Sequence, residues 1–153
     1  MPSKNLVNIL RTQHPNITFI SSDIFKWSPD KKTIYYDTND EHVDITLLHE
    51  LAHALLDHRD FALDVELIRK EADAWHHTET VLAGRYSVTI PKTHISESME
   101  SYRYWLHQRS KCPDCAAQGL QTKNTHYTCL VCGCDWRAND ARVCGLKRYK
   151  LAV

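Results

Sequence analysis

Apolar residues open the chain at helical spacing: Leu6, Ile9 and Leu10 predict a short amphipathic helix that stops at His14-Pro15, where proline disfavours continuation. The pattern then shortens into runs rich in β-branched and aromatic residues, Ile17–Ser21, Ile24–Trp27 and Thr33–Asp37. A Ser28-Pro29-Asp30 turn between the last two completes a small, largely antiparallel sheet. From about Asp40 the period returns to 3.6. Val43, Leu47, Leu48, Leu51, Ala52, Leu55 and Leu56 make a helix apolar over most of its circumference, with Asp40 or Asp44 as its N-cap.

After a break near His58-Arg59-Asp60, Ala62–Ala83 read as a second helix with Val65, Ile68, Ala72, Trp75 and Leu82 on one stripe and Gly84 as its stop. These two helices form an antiparallel hairpin. A strand-like Tyr86–Ile90 and a helix over Ser96–Gln108 finish the first domain. The predicted class is α+β: a small antiparallel sheet packed on a helix hairpin over residues 1–109, then a β-rich zinc ribbon over 110–153.

The buried first helix carries an anomaly, His49-Glu50-Leu51-Ala52-His53. Residues four apart share a helix face, so both imidazoles can bind one Zn²⁺, while Glu50, rotated to the side, faces the water and serves as general base. Zinc brings the pKa of water toward ~7, within reach of a carboxylate. Two histidines and a glutamate unpartnered in an apolar helix would each cost on the order of 1–3 kcal/mol, which a metal relieves. A structural metal, a degenerate enzyme or coincidence are the competing readings.

A third ligand is required. His58 is the nearest candidate, but the metzincin pattern requires glycine at position 56 and histidine at position 59, where the chain has Leu56 and Arg59. If the hairpin turns near Asp60, His49 and His53 stand level with residues 67–71, where Glu71 is the one carboxylate on the inward face. The competing reading of Glu71 is an exposed glutamate paired with a neighbouring Lys or Arg. Trp75 reads as core rather than as a substrate platform.

The segments HELAHALLDH (His49–His58) and EADAW (Glu71–Trp75) resemble the ImmA/IrrE-type metallopeptidases, whose pattern is HELxHxLLxH followed by E-A-[ND]-x-[FW]. The resemblance covers about residues 17–85. It implies a gluzincin-like fold, zinc on His49, His53 and Glu71, Glu50 as base, and site-specific cleavage of helix-turn-helix regulators. Trp75-His76 stand where Phe-Ala usually closes the second motif, which places the chain on a divergent branch.

All six cysteines lie in the last third. Cys112, Cys115, Cys129 and Cys132 form two CxxC knuckles suited to a structural zinc, in preference to a disulfide or redox pair. Cys134 and Cys144 read as small apolar filler, with Cys134 an alternative ligand to Cys132. The net charge is zero, yet residues 1–102 hold 10 Lys/Arg against 16 Asp/Glu and residues 103–153 hold 9 against 3. Arg137, Arg142, Lys147, Arg148 and Lys150, interleaved with Trp136 and Tyr149, suggest a basic aromatic surface for nucleic acid, or a face that docks on protein.

No leader or membrane span is evident, and cytoplasmic residence is expected. The expected function is a zinc endopeptidase acting on a protein substrate. The alternatives are a non-catalytic zinc-binding adaptor for nucleic acid or protein, and a DNA-associated protease resembling the SprT-like group. That group takes a third histidine from a downstream His-Gly motif, and His58, His76, His77 and His94 each lack a following glycine, so this reading ranks third.

Overall fold

Leu6, Val7 and Leu10 bury one side of α1 (Lys4–Gln13), which ends before Pro15 as its sequence requires. A computed structural model of the protein describes residues 4–142 and 144–152. Three strands follow: β1 (Thr18–Ser22), β2 (Lys26–Ser28) and β3 (Thr33–Asp37). The Pro29 turn makes β2 and β3 antiparallel, with Trp27 opposite Ile34. Strand β1, however, runs parallel to β3 in the order β1-β3-β2. The α+β class holds, and the sheet is mixed rather than antiparallel throughout. The chain passes from β1 to the far edge before its hairpin brings β3 back to the centre, and only crossing to that edge allows two nearby strands to run parallel. As the central strand, β3 is the most buried, with Thr33, Ile34 and Tyr36 enclosed.

Helix α2 (Val43–Leu55) packs Val43, Leu47, Leu48 and Leu51 into the core formed with α1 and the sheet. Its N-cap is His42, without a side-chain cap bond, rather than Asp40 or Asp44. Asp40 instead accepts the His42 N–H at 2.7 Å, an Asx turn leading into the helix, and Asp44 lies within the first turn. Leu55 and Leu56 are exposed, so the buried face ends at His53.

Helix α3 (Asp64–His77) buries Leu67, Glu71, Ala74 and Trp75, while Val65 is exposed, a rotation of the predicted stripe that keeps Glu71 inward. At Thr78 it widens into a π-helical turn (Thr78–Leu82) and closes as α4 (Ala83–Arg85). The fully buried Thr78 hydroxyl donates back to the Ala74 carbonyl at 2.7 Å, the competition that loosens a helical ladder.

Gly84 lies inside this helix rather than after it. Ser87 takes the left-handed conformation (φ 55°), and Val88 N–H reaches the Ala83 carbonyl. That is a Schellman ending, and it uses the residues whose alternation suggests a strand at Tyr86–Ile90. Among the described residues no strand forms there.

Helix α5 (His94–Arg109) leads into a second sheet, β4 (Leu120–Lys123), β5 (His126–Thr128), β6 (Asp135–Ala138) and β7 (Arg148–Lys150), antiparallel and in chain order. Contacts divide the chain into Met1–Asp60 with Lys70–Ile95, and Phe61–Arg69 with Ser96–Val153. The first unit holds α2 and its core. In the second, Arg109 is almost fully enclosed: its Nε donates to the Tyr127 hydroxyl at 2.7 Å, and that hydroxyl donates to Asp64 at 2.6 Å. Among the described residues no helix is long and apolar enough to cross a membrane.

Candidate active site

One turn of α2 separates His49 from His53, so their rings lie on one side of the helix, edge to face with centroids 4.6 Å apart. Their Nε2 atoms are 3.1 Å from each other. Glu71 enters from α3 with Oε2 3.0 Å from His49 Nε2 and Oε1 3.3 Å from His53 Nε2. All three side chains are buried, and their ligand atoms form one tight group.

Two imidazole nitrogens with lone pairs directed at each other and at a carboxylate repel unless a proton or a cation lies among them. Metal–ligand bonds of about 2.0–2.1 Å in tetrahedral geometry place ligand atoms about 3.3 Å apart. The observed spacings fit, and the three residues could hold a divalent metal.

The electrostatics carry the same signature. Burial alone would raise the Glu71 carboxyl, yet hydrogen bonds from His49 and His53 and their positive charge hold it down at about 2. Burial keeps His49 below its ordinary value. For His53 burial is outweighed by the Glu71 hydrogen bond and by the charges of Glu71 and Glu50, and its value rises. Glu50 is pushed up to about 7, by burial and by the charge of Glu71.

The sequence matches the peptidase family described as the IrrE N-terminal-like domain over residues 10–118. The chain belongs to that family. Comparisons with curated proteins and with solved structures returned no match. The family match takes in the whole His49–His53–Glu71 group and the first cysteine knuckle, and it stops before the second.

Three contacts around the IrrE-like site escape a sequence reading. The backbone N–H of Trp27, on the edge strand β2, donates to Glu50 Oε2 at 2.7 Å, and the indole N–H donates to the His58 carbonyl at 3.1 Å. His58 places Nδ1 2.8 Å from His53 Nδ1. Trp75 is buried as its pattern suggests, but it stacks on His49 itself, centroids 3.9 Å apart and planes 19° from parallel. Backbone pairing across space leaves no mark in the residue pattern, so only His58, inside the HELAHALLDH segment, and Trp75, four residues after Glu71, could have been found in advance.

Of the alternative histidine ligands, His58 lies against the side of the His53 ring away from Glu71, His94 meets the edge of Trp75, and His76 is exposed. None joins the group.

The cysteines of the second unit assemble as a separate group of Cys112, Cys115, Cys129 and Cys132. Sγ of Cys112 and Cys132 are 3.6 Å apart, and those of Cys115 and Cys129 3.4 Å. Burial opposes it, but the backbone N–H groups of Cys115 and Asp114 hold the Cys112 thiol below its ordinary value, while Cys115 and Cys132 in the same cluster are raised. Cys134 packs on the small core beneath, and Cys144 is exposed rather than filling a core.

Trp136 is wholly buried and takes no part in a basic surface. Arg142 lies over Tyr102, Arg148 donates to the Lys111 carbonyl, Lys150 pairs with Asp114, and Arg137 lies over Tyr149.

Proposed function

We propose that the chain is a zinc-dependent endopeptidase, with Zn²⁺ held by His49, His53 and Glu71 and with Glu50 as general base. The observation that supports it most directly is the convergence of those three ligand atoms within 3.0–3.3 Å beside a raised carboxyl. Zinc, when bound, supplies a Lewis acid that brings water near deprotonation at neutral pH. Glu50 has one oxygen anchored by the Trp27 N–H, which leaves the other to accept a proton from the attacking water. The protonated carboxyl then delivers that proton to the departing amine.

Four thiolates would close around a second, structural zinc and leave no position for catalysis. On this reading residues 1–109 cut and residues 110–153 form a zinc ribbon that recruits a protein substrate, for which a DNA-bound regulator is one candidate. Recruitment of protein is favoured over nucleic acid because Arg142, Arg148 and Lys150 are already engaged within their own unit. Six cysteines without a disulfide suit the cytoplasm.

Zinc content per chain tests the two sites. Wild type should carry two, and one should be lost in His49→Ala/His53→Ala and the other in Cys112→Ser/Cys115→Ser. A peptide library incubated with wild type should yield cleavages that vanish with Glu50→Gln while both zincs remain. Cleavage that survives in Glu50→Gln would refute the mechanism.

A further inference from the structure

The HELAHALLDH segment places a third histidine five residues after the second. In a continuous helix, residues five apart point about 140° away from each other around the axis. They meet here because α2 ends between them. Asp57 adopts the left-handed conformation (φ 52°), its N–H bonds the Ala54 carbonyl, and the His58 N–H returns to the His53 carbonyl at 2.9 Å. This Schellman turn folds His58 back over the ring of His53. The Trp27 indole fixes the His58 carbonyl, so the residue is held at both ends of its backbone.

The outcome is a contact of 2.8 Å between His53 Nδ1 and His58 Nδ1. One of these nitrogens donates and the other accepts. If His58 donated, the neutral His53 ring would carry its own proton on Nε2, aimed at His49 Nε2 3.1 Å away and at Glu71. That would block the side on which the ligand atoms converge. With His53 as donor, its proton sits on Nδ1 and its Nε2 lone pair faces His49 and Glu71.

We propose that His58 is a positioning residue for the metal centre, accepting the Nδ1–H of His53 so that Nε2 is presented as a ligand in a single tautomer and orientation. The inference rests on the metal-site reading above. Ligating histidines usually give this proton to a carboxylate, a carbonyl or water. Here a neutral imidazole takes it and adds no charge to the site.

The full chain, loaded with zinc, provides the test. Asn at position 58 puts an amide oxygen two bonds beyond Cβ, where His58 has Nδ1. Leu has no acceptor there, and Gln sets its oxygen one bond too far. Zinc affinity of the His49–His53–Glu71 site is read by chelator competition, with the cysteine-bound zinc counted separately. The His53 ring tautomer is read from its ¹⁵N shifts.

His58→Leu and His58→Gln should weaken zinc by about 10–100-fold and broaden or shift the protonated His53 Nδ1 resonance. His58→Asn should restore both. Either loss variant suffices should the other not fold. Wild-type affinity and unchanged His53 shifts in His58→Leu, or an Asn variant as weak as Leu, would overturn the proposal while leaving the metal site standing. Equal zinc in wild type and His53→Ala would overturn the site and this inference together.

Discussion

Adding a single methyl group at Gly119 should destabilise the second unit. Gly119 donates its N–H to the Ser110 carbonyl at 2.7 Å, and a Cβ built there would lie 2.3 Å from Cη2 and 2.8 Å from Cζ2 of Trp136, with the Ser110 oxygen at 3.1 Å. Ordinary contact therefore requires the indole to move by roughly 1 Å. Trp136 has no freedom to do so: it is fully buried, stacks on Tyr127, and donates from Nε1 to the Arg109 carbonyl at 3.0 Å. Overpacking costs ~1–3 kcal/mol, and a lost buried hydrogen bond adds ~0.5–1.5, so Gly119→Ala should cost about 2–4 kcal/mol. Guanidinium unfolding of the zinc-loaded chain measures it, followed by tryptophan fluorescence for wild type, Gly119→Ala, Trp136→Phe and the double variant. The smaller ring should accept the methyl, so the double variant should cost less than the two single changes added. An Ala variant within ~0.5 kcal/mol of wild type, or strict additivity, would refute the packing argument.

Other perturbations separate the first unit from the second. In metal-free protein the stability gap between wild type and Glu71→Gln should depend on pH. Glu71 has a folded value of about 2 against 4.5 for the free group, so its contribution is complete above 4.5 and is lost as pH falls toward 2. His53 is raised in the fold, so its share is complete below 6.5 and is lost as pH rises above 6.5 through the raised folded value. Urea midpoints should show the gap widest between these limits, and a gap constant from pH 2 to 8 would contradict the pairing. Trp75→Ala removes the ring stacked on His49 and should cost ~3–5 kcal/mol in unfolding of the first unit, whereas Trp75→Phe should retain most of it. A small loss with Ala would mean that the ring does not support the ligand. Tyr127→Phe leaves buried Arg109 Nε without its acceptor and should cost ~1–3 kcal/mol in guanidinium unfolding of the second unit; Asp64→Asn keeps an acceptor for Tyr127 but removes the carboxylate 3.9 Å from the buried Arg109 guanidinium, and should cost more.

The clustered residues were readable because a metal site, as proposed, would impose spacing. On that reading His49 and His53 are four apart so that one ion can see both, and the two CxxC pairs have the same origin. Glu71 followed from counting equal distances from a turn, which tolerated the real stripe being rotated away from Val65. Features that depend on partners distant in sequence were not readable. Nothing local to β1 shows that it lies parallel to β3 rather than beside β2. The helix ends were obscured for another reason: Asp57 and Ser87 occupy the left-handed positions where glycine is the usual marker. Trp136 and Arg137 looked like an exposed aromatic and basic pair, but alternation along β6 turns Trp136 and Ala138 inward and Arg137 outward.

Those unmarked turns have a bearing on chemistry. A glycine after α2 would reach the left-handed conformation at less cost, but it would also admit others, and His58 would lose a fixed approach to His53. The sheet imposes a matching constraint from the opposite side. Because Trp27 pairs with Ile34, its N–H points outward from the β2 edge to Glu50; a shift of one residue would turn that N–H away. Trp27 also fixes the His58 carbonyl, so one residue of a three-residue strand holds both Glu50 and the turn that carries His58 to His53. The register of β2, set by the Pro29 turn, therefore governs both the reach of the carboxylate and the orientation of the His53 ring.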